Sequence, residues 1–168
     1  MPFFRQEDLG RLDWRLLQNG FINLYWRINY LDEDVQKLEE LNYRIARFDC
    51  SSWKTMDESA VDISSKLNIQ WNGKSLDALN DLLTDIDIPF ESGFVLVFSK
   101  YDLFQKLEPK TSWPILDILA SNGRLHLLFG KRLICMVQVD EPTLNFQPVG
   151  AQAVLWNPRE WLNKDRGL

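Results

Sequence analysis

The chain is predicted to be α/β, with a mainly parallel small sheet packed by helices. Three observations predict it. Short apolar segments of strand character alternate with segments whose apolar residues recur at helical spacing, the pattern of strands linked by crossover helices. Residues 93–99 form a nearly continuous apolar run, as expected of a strand covered on both faces. With 168 residues, 45% apolar and 26% charged, the chain is long enough to bury a core and too apolar for disorder.

Taken in order, residues 8–18 carry Leu9, Leu12, Leu16 and Leu17 at roughly helical spacing, and Asn19-Gly20 stops them. Residues 21–26 read as a strand. Residues 31–41 read as a helix, with Asp32, Glu33 and Asp34 in its first turn, Val35, Leu38 and Leu41 as its apolar stripe and Asn42 as its close. Residues 44–49 read as a strand with Ile45 and Phe48 as its bulky members. Within residues 51–68 a helix capped by Thr55 or Asp57 turns Ala60, Val61, Ile63 and Leu67 to the core.

The next helix starts near Ser75 and stops before Pro89. Leu76, Leu79, Leu83 and Ile86 make its buried stripe. Asp77, Asp81 and Asp85 fall at i, i+4 and i+8, so the three carboxylates share one face, with Asn80 and Thr84 beside them. Such a ladder works against its own helix, since like charges at i, i+4 cost about 0.2–0.5 kcal/mol per pair. The helix dipole favours Asp77 in the first turn and disfavours Asp85 near the C-terminal end. Residues 70–91 hold Lys74 against Asp77, Asp81, Asp85, Asp87 and Glu91, most of the net charge of −5. The ladder is either a solvated acidic face or a surface that gives up stability for a cationic partner. Ahead of it lies the turn Gln70-Trp71-Asn72-Gly73, whose Asn-Gly pair favours a turn. Trp71 either anchors a protein partner or tucks into the core.

Beyond the 93–99 strand, residues 112–121 read as a helix with Pro114 in its first turn, ended by Asn122-Gly123. Residues 132–139 read as a strand hairpinned through Gly130-Lys131; a helix through 124–132 is the alternative. Pro142, Pro148 and Gly150 punctuate a loop, and residues 154–156 are a last short strand. Asn157-Pro158-Arg159-Glu160 has the form of a helix start, after which Trp161 and Leu162 fold back onto the body.

The stretch Trp71-Asn72-Gly73-Lys74-Ser75-Leu76-Asp77-Ala78-Leu79-Asn80-Asp81-Leu82-Leu83-Thr84 closely resembles the signature of the barstar family, intracellular inhibitors of the ribonuclease barnase. The resemblance covers about residues 44–130. It implies the barstar-like sandwich, with 44–49 as its first strand, 51–68 holding its first helix, 101–104 its short helix and 124–129 its last strand. It also implies a single domain of residues 1–168, in which 1–43 and 131–168 are extensions with no counterpart in the small inhibitor.

In the family an acidic helix and its preceding loop plug the cationic active site of the enzyme, with carboxylates where RNA phosphates would sit. Carried over, Asp81 takes the central carboxylate position and Asp77 the neighbouring acidic contact. Trp71 takes the turn aromatic, Asn72 the next turn position and Thr84 the Thr of the same face. Asn80 stands where the family has an aromatic, and Asp85 where it has Gly. Asp117 is the nearest candidate for the family's second acidic contact. The implied partner is a basic protein, a barnase-like ribonuclease or toxin nuclease domain. The alternative is a barstar-fold adaptor or immunity protein for a basic protein that is not a ribonuclease.

Other function classes find little support. A pI near 4.9 argues against general binding of nucleic acid or anionic membranes. Cys50 and Cys135 have no metal or disulfide spacing and read as buried thiols of a cytoplasmic protein. Residues 1–8 lack the apolar run of a signal peptide, and no run is long enough to span a membrane. His126 is the sole histidine and lies in an apolar run, as a satisfied core residue would, so no catalytic group is expected. Gly73-Lys74-Ser75 ends like a phosphate-binding loop, but Asn68 replaces its first Gly. Asp77, Asp81 and Asp85 make a line and not a cage, so neither metal nor cofactor is expected.

Overall fold

The computed structural model describes residues 5–168; the first four residues, part of the 1–8 stretch considered for a leader, lie outside them. The elements are α1 (Leu12–Asn19), β1 (Ile22–Tyr25), α2 (Ile28–Glu40), β2 (Arg44–Asp49), α3 (Met56–Leu67), α4 (Leu76–Thr84), β3 (Phe94–Ser99), α5 (Tyr101–Leu107), α6 (Ser112–Leu128), β4 (Leu133–Gln138) and β5 (Leu155–Trp156). The strands form one five-stranded sheet in the order β2-β3-β4-β1-β5, and every strand pairing is parallel.

Helices cover both faces, which explains the unbroken apolar runs of the central strands. Phe94, Leu96 and Phe98 of β3, with Leu133, Cys135 and Val137 of β4, point into the core beneath α3–α6. Their alternates, Val95, Val97, Ile134 and Met136, meet Leu16, Leu31, Val35 and Leu38 of α1 and α2. The N-terminal segment thus supplies one whole layer and strand β1, and the C-terminal segment adds β5. Within the first core, Phe48 stacks on Phe98 at 4.7 Å and Trp53 meets Phe104 edge-on at 5.0 Å.

Both cysteines are buried, and burial pushes each thiol well above its ordinary range. Neither is expected to react with a disulfide reagent in the native protein, and both should react at once in denaturant. Rapid labelling of the folded protein would contradict this burial.

Several expectations are corrected. Residues 124–128 are helical, as in the helix alternative for this stretch and not as a strand, and Asn122-Gly123 does not stop α6. Gly123 is there for packing: a Cβ would lie 2.6 Å from the Phe21 ring. The true stop is Gly130, with φ +77°, where Gly130 N–H donates to the Leu127 carbonyl and Lys131 N–H to that of His126. Strand β4 makes no hairpin and inserts between β3 and β1. Val61 is 69% exposed, one position off the stripe of Ala60, Ile63 and Leu67.

Helix α2 starts at Ile28, so Asp32 lies beyond its first turn. Its N-terminus is met by Glu160 of the C-terminal segment, which accepts from Trp26 N–H at 2.8 Å and Arg27 N–H at 2.9 Å. Pro158–Glu160 is a single 3₁₀ turn capped by Asn157, and Trp161 and Leu162 stay more than half exposed.

Candidate functional site

The local sequence holds α4 at both ends. Ahead of it, Ser64 Oγ donates to the Trp71 carbonyl at 2.8 Å and accepts from Trp71 N–H at 3.0 Å. Asn72 Oδ1 accepts from Lys74 N–H at 3.0 Å, and Gly73 takes φ +76° close over Ala60, which no larger residue fits. Ser75 Oγ caps the first turn by accepting from Ala78 N–H at 3.1 Å. At the far end, His126 Nε2 lies 2.8 Å from the Leu83 carbonyl. His126 is a satisfied core histidine, set on a helix rather than a strand.

Trp71 does not stand as a surface anchor. It is 5% exposed, packs into the core and donates its Nε1–H to the Ser75 carbonyl at 2.7 Å. It fixes where the helix begins. The buried stripe is Leu79, Leu83 and Ile86, with Leu76 half-buried.

The opposite face is the acidic ladder. Asn72, Asp77, Asn80, Asp81, Thr84 and Asp85 are all exposed, so the structure brings together every predicted site residue except the buried Trp71 ring. Asp77, Asp81 and Asp85 have no basic partner among the described residues. Asp87, just beyond, is paired with Arg44 at 3.3 Å. Asp85 closes the helix and borders an open groove of about 550 Å³ that Arg44, Lys66 and Gln70 also line.

Asn80 and Thr84 have a second task. Asn122 of α6, 2% exposed, donates to Asn80 Oδ1 at 2.9 Å, and its Oδ1 lies 3.2 Å from Thr84 Oγ1. This joint, with the His126 contact, locks α4 on α6. Neither Asn122 nor His126 was singled out as a site residue from sequence. Their i, i+4 spacing was the available signal, hidden by taking Asn122-Gly123 as a helix stop. Asp117 is not on this face: its Oδ1 accepts from Gly150 N–H at 2.7 Å and holds the C-terminal segment against α6.

The arrangement is a helix bonded at both ends that presents three carboxylates, without basic partners among the described residues, to solvent along one line. It suits charge-assisted hydrogen bonds from Arg or Lys side chains of a partner. Among the described residues, no His, Cys, Asp and Glu side chains gather in threes as a metal site would need, and no helix is long and apolar enough to cross a membrane.

Comparison with curated proteins finds no match. Among family models, that of barstar (barnase inhibitor) matches residues 43–130, just over half the chain. The matched stretch runs from the residue before β2 to the end of the α6 stop and contains the whole acidic ladder with its turn. The chain belongs to the barstar (barnase inhibitor) family.

Proposed function

We propose that the protein is an inhibitor of a barnase-like ribonuclease, of the immunity or antitoxin type, acting in the cytoplasm as one domain. The observation that carries this reading is the ladder of Asp77, Asp81 and Asp85, exposed, without basic partners among the described residues, and held on a helix pinned at both ends. Carboxylates so placed can occupy the phosphate positions of a cationic nuclease site and block RNA without being cleaved. Asp81 is the central contact and Asp77 its neighbour. Asn72 and Thr84 flank them, Asn80 joins through its exposed side, and Asp85 adds a charge. Trp71 serves by positioning the turn. Rigidity matters because the side chains lose little freedom on docking. Unmatched charge on one face also speeds encounter with a basic partner.

The test is titration of a barnase-class ribonuclease with the purified protein, following RNA cleavage at low and moderate salt. Inhibition should be stoichiometric and weaken with salt. Asp81→Ala should weaken it at least ~30-fold, the scale of a central interface residue. Full inhibition by Asp81→Ala would remove the ladder from the mechanism. Absence of inhibition by the folded wild type would turn the search to a basic protein that is not a ribonuclease.

A further inference from the structure

The amide bonds between α4 and α6 fix more than the seating of one helix on the other. They fix which end of the Asn80 side chain faces out. Asn122 Nδ2 lies 3.0 Å from the Ile118 carbonyl, a group that only accepts, so this end of the Asn122 amide is the nitrogen and the end beside Thr84 is the oxygen. The second proton of that nitrogen goes to Asn80, 2.9 Å away, so the Asn80 atom receiving it is the oxygen. Asn80 Nδ2 keeps two N–H groups with no partner among the described residues, on an exposed side chain.

The rest of this face cannot donate in the same way. Asp77, Asp81 and Asp85, when ionised, only accept. Thr84 has a single hydroxyl proton, and it is turned to the Asn80 carbonyl at 3.0 Å, with Asn122 Oδ1 at 3.2 Å. Asn80 is therefore the free side-chain donor among Asp77, Asn80, Asp81, Thr84 and Asp85. It stands on the α6 edge of the ladder, three residues on from Asp77.

We propose that Asn80 is a specificity residue whose amide N–H meets an acceptor oxygen, a carboxylate or a main-chain carbonyl, set among the cations of the partner's site. This rests on the inhibitor reading above. A site that cleaves RNA binds phosphate with cations, but it also needs a base to take the proton of the attacking hydroxyl, so acceptors stand among those cations. A carboxylate of the inhibitor set against such an acceptor is repelled and left unpaired; a fixed amide N–H makes the same contact a bond. Asn80 cannot turn its oxygen outward instead without leaving the buried Asn122 N–H unpaired.

The experiment is binding of the full chain to a barnase-class ribonuclease across a salt series, with melting temperatures, for wild type, Asn80→Asp, Asn80→Ala, Ala78→Asp and Asp81→Ala. Asn80→Asp decides. It keeps the shape and the oxygen that Asn122 uses, and exchanges only the outward donor for an acceptor. It should weaken binding at least ~10-fold, although it adds negative charge toward a basic partner. Ala78 is exposed on the opposite edge of the ladder, so Ala78→Asp adds the same charge without removing a donor. It should bind as tightly as wild type or tighter, with a steeper salt slope. Asn80→Ala should weaken binding about 3–10-fold. A loss in Asn80→Asp at least ~10-fold beyond that of Asn80→Ala marks the acceptor as a carboxylate, and a smaller excess marks a carbonyl. Unchanged or tighter binding by Asn80→Asp, or equal losses in Asn80→Asp and Ala78→Asp, overturns the assignment; weakened binding by Asp81→Ala in the same series leaves the inhibitor reading standing. Should Asn80→Asp fail to melt cooperatively, wild-type affinity in Asn80→Ala overturns it. Wild-type binding by Asp81→Ala, or no binding by the folded wild type, overturns both together.

Discussion

Asp13→Ala is expected to destabilise the protein by about 3–5 kcal/mol, the cost of breaking a buried ion-paired network from one side. Asp13 sits in the first turn of α1 and is fully buried. Its carboxylate accepts from Arg11 Nη2 at 2.7 Å and the Tyr43 hydroxyl at 2.8 Å, and it faces buried Arg132 at 3.8 Å. Burial and this carboxylate together hold the Tyr43 phenol well above its ordinary range. Truncation removes the countercharge from Arg132 and the acceptor from Tyr43 in a space that water does not reach. Asp13→Asn keeps the shape and one acceptor, and should cost less. Urea unfolding of the three proteins measures the series. A change under about 1 kcal/mol for the Ala variant would mean the network contributes no net stability.

Trp71→Ala should cost a similar amount, about 3–5 kcal/mol, because a large aromatic leaves a cavity behind. Trp71→Phe keeps most of the ring volume and loses the bond to the Ser75 carbonyl, for about 0.5–1.5 kcal/mol. Melting and nuclease binding should be measured on both variants. A core residue lowers stability in proportion to lost volume and leaves the Phe variant able to bind. A contact residue would do the reverse: Trp71→Ala would melt as wild type does and bind weakly, and that result would return the ring to the interface.

Much of this fold was legible because its signals are local. The run from Phe94 to Ser99 announces a strand covered on both sides, Ser75 announces a helix start, and Leu79 and Leu83 announce the buried stripe beneath the Asp ladder. What failed depended on tertiary contact. Asn122-Gly123 has the composition of a helix stop, and only the Phe21 ring against Gly123 and the amide bonds from Asn122 to α4 explain its place inside α6. Leu125 to Phe129 has strand composition, yet the stop at Gly130 lies beyond it, so the helix continues. The capping of α2 by Glu160 joins positions far apart in sequence, which periodicity cannot see.

The position of β1 has a consequence for the order in which the molecule can be built. Ile22 pairs with Cys135 and Asn23 with Leu155, so both neighbours of this early strand come from the last third of the chain. While the polypeptide is being synthesised, β2 and β3 can pair as soon as they emerge, but β1 has no edge to join until β4 has left the ribosome. During that interval α1 and α2 lack half the surface they cover, and the buried face of β1 is exposed to other chains. The N-terminal layer is therefore a late-closing part of the molecule, and its two open strand edges are sealed only when the C-terminal segment arrives.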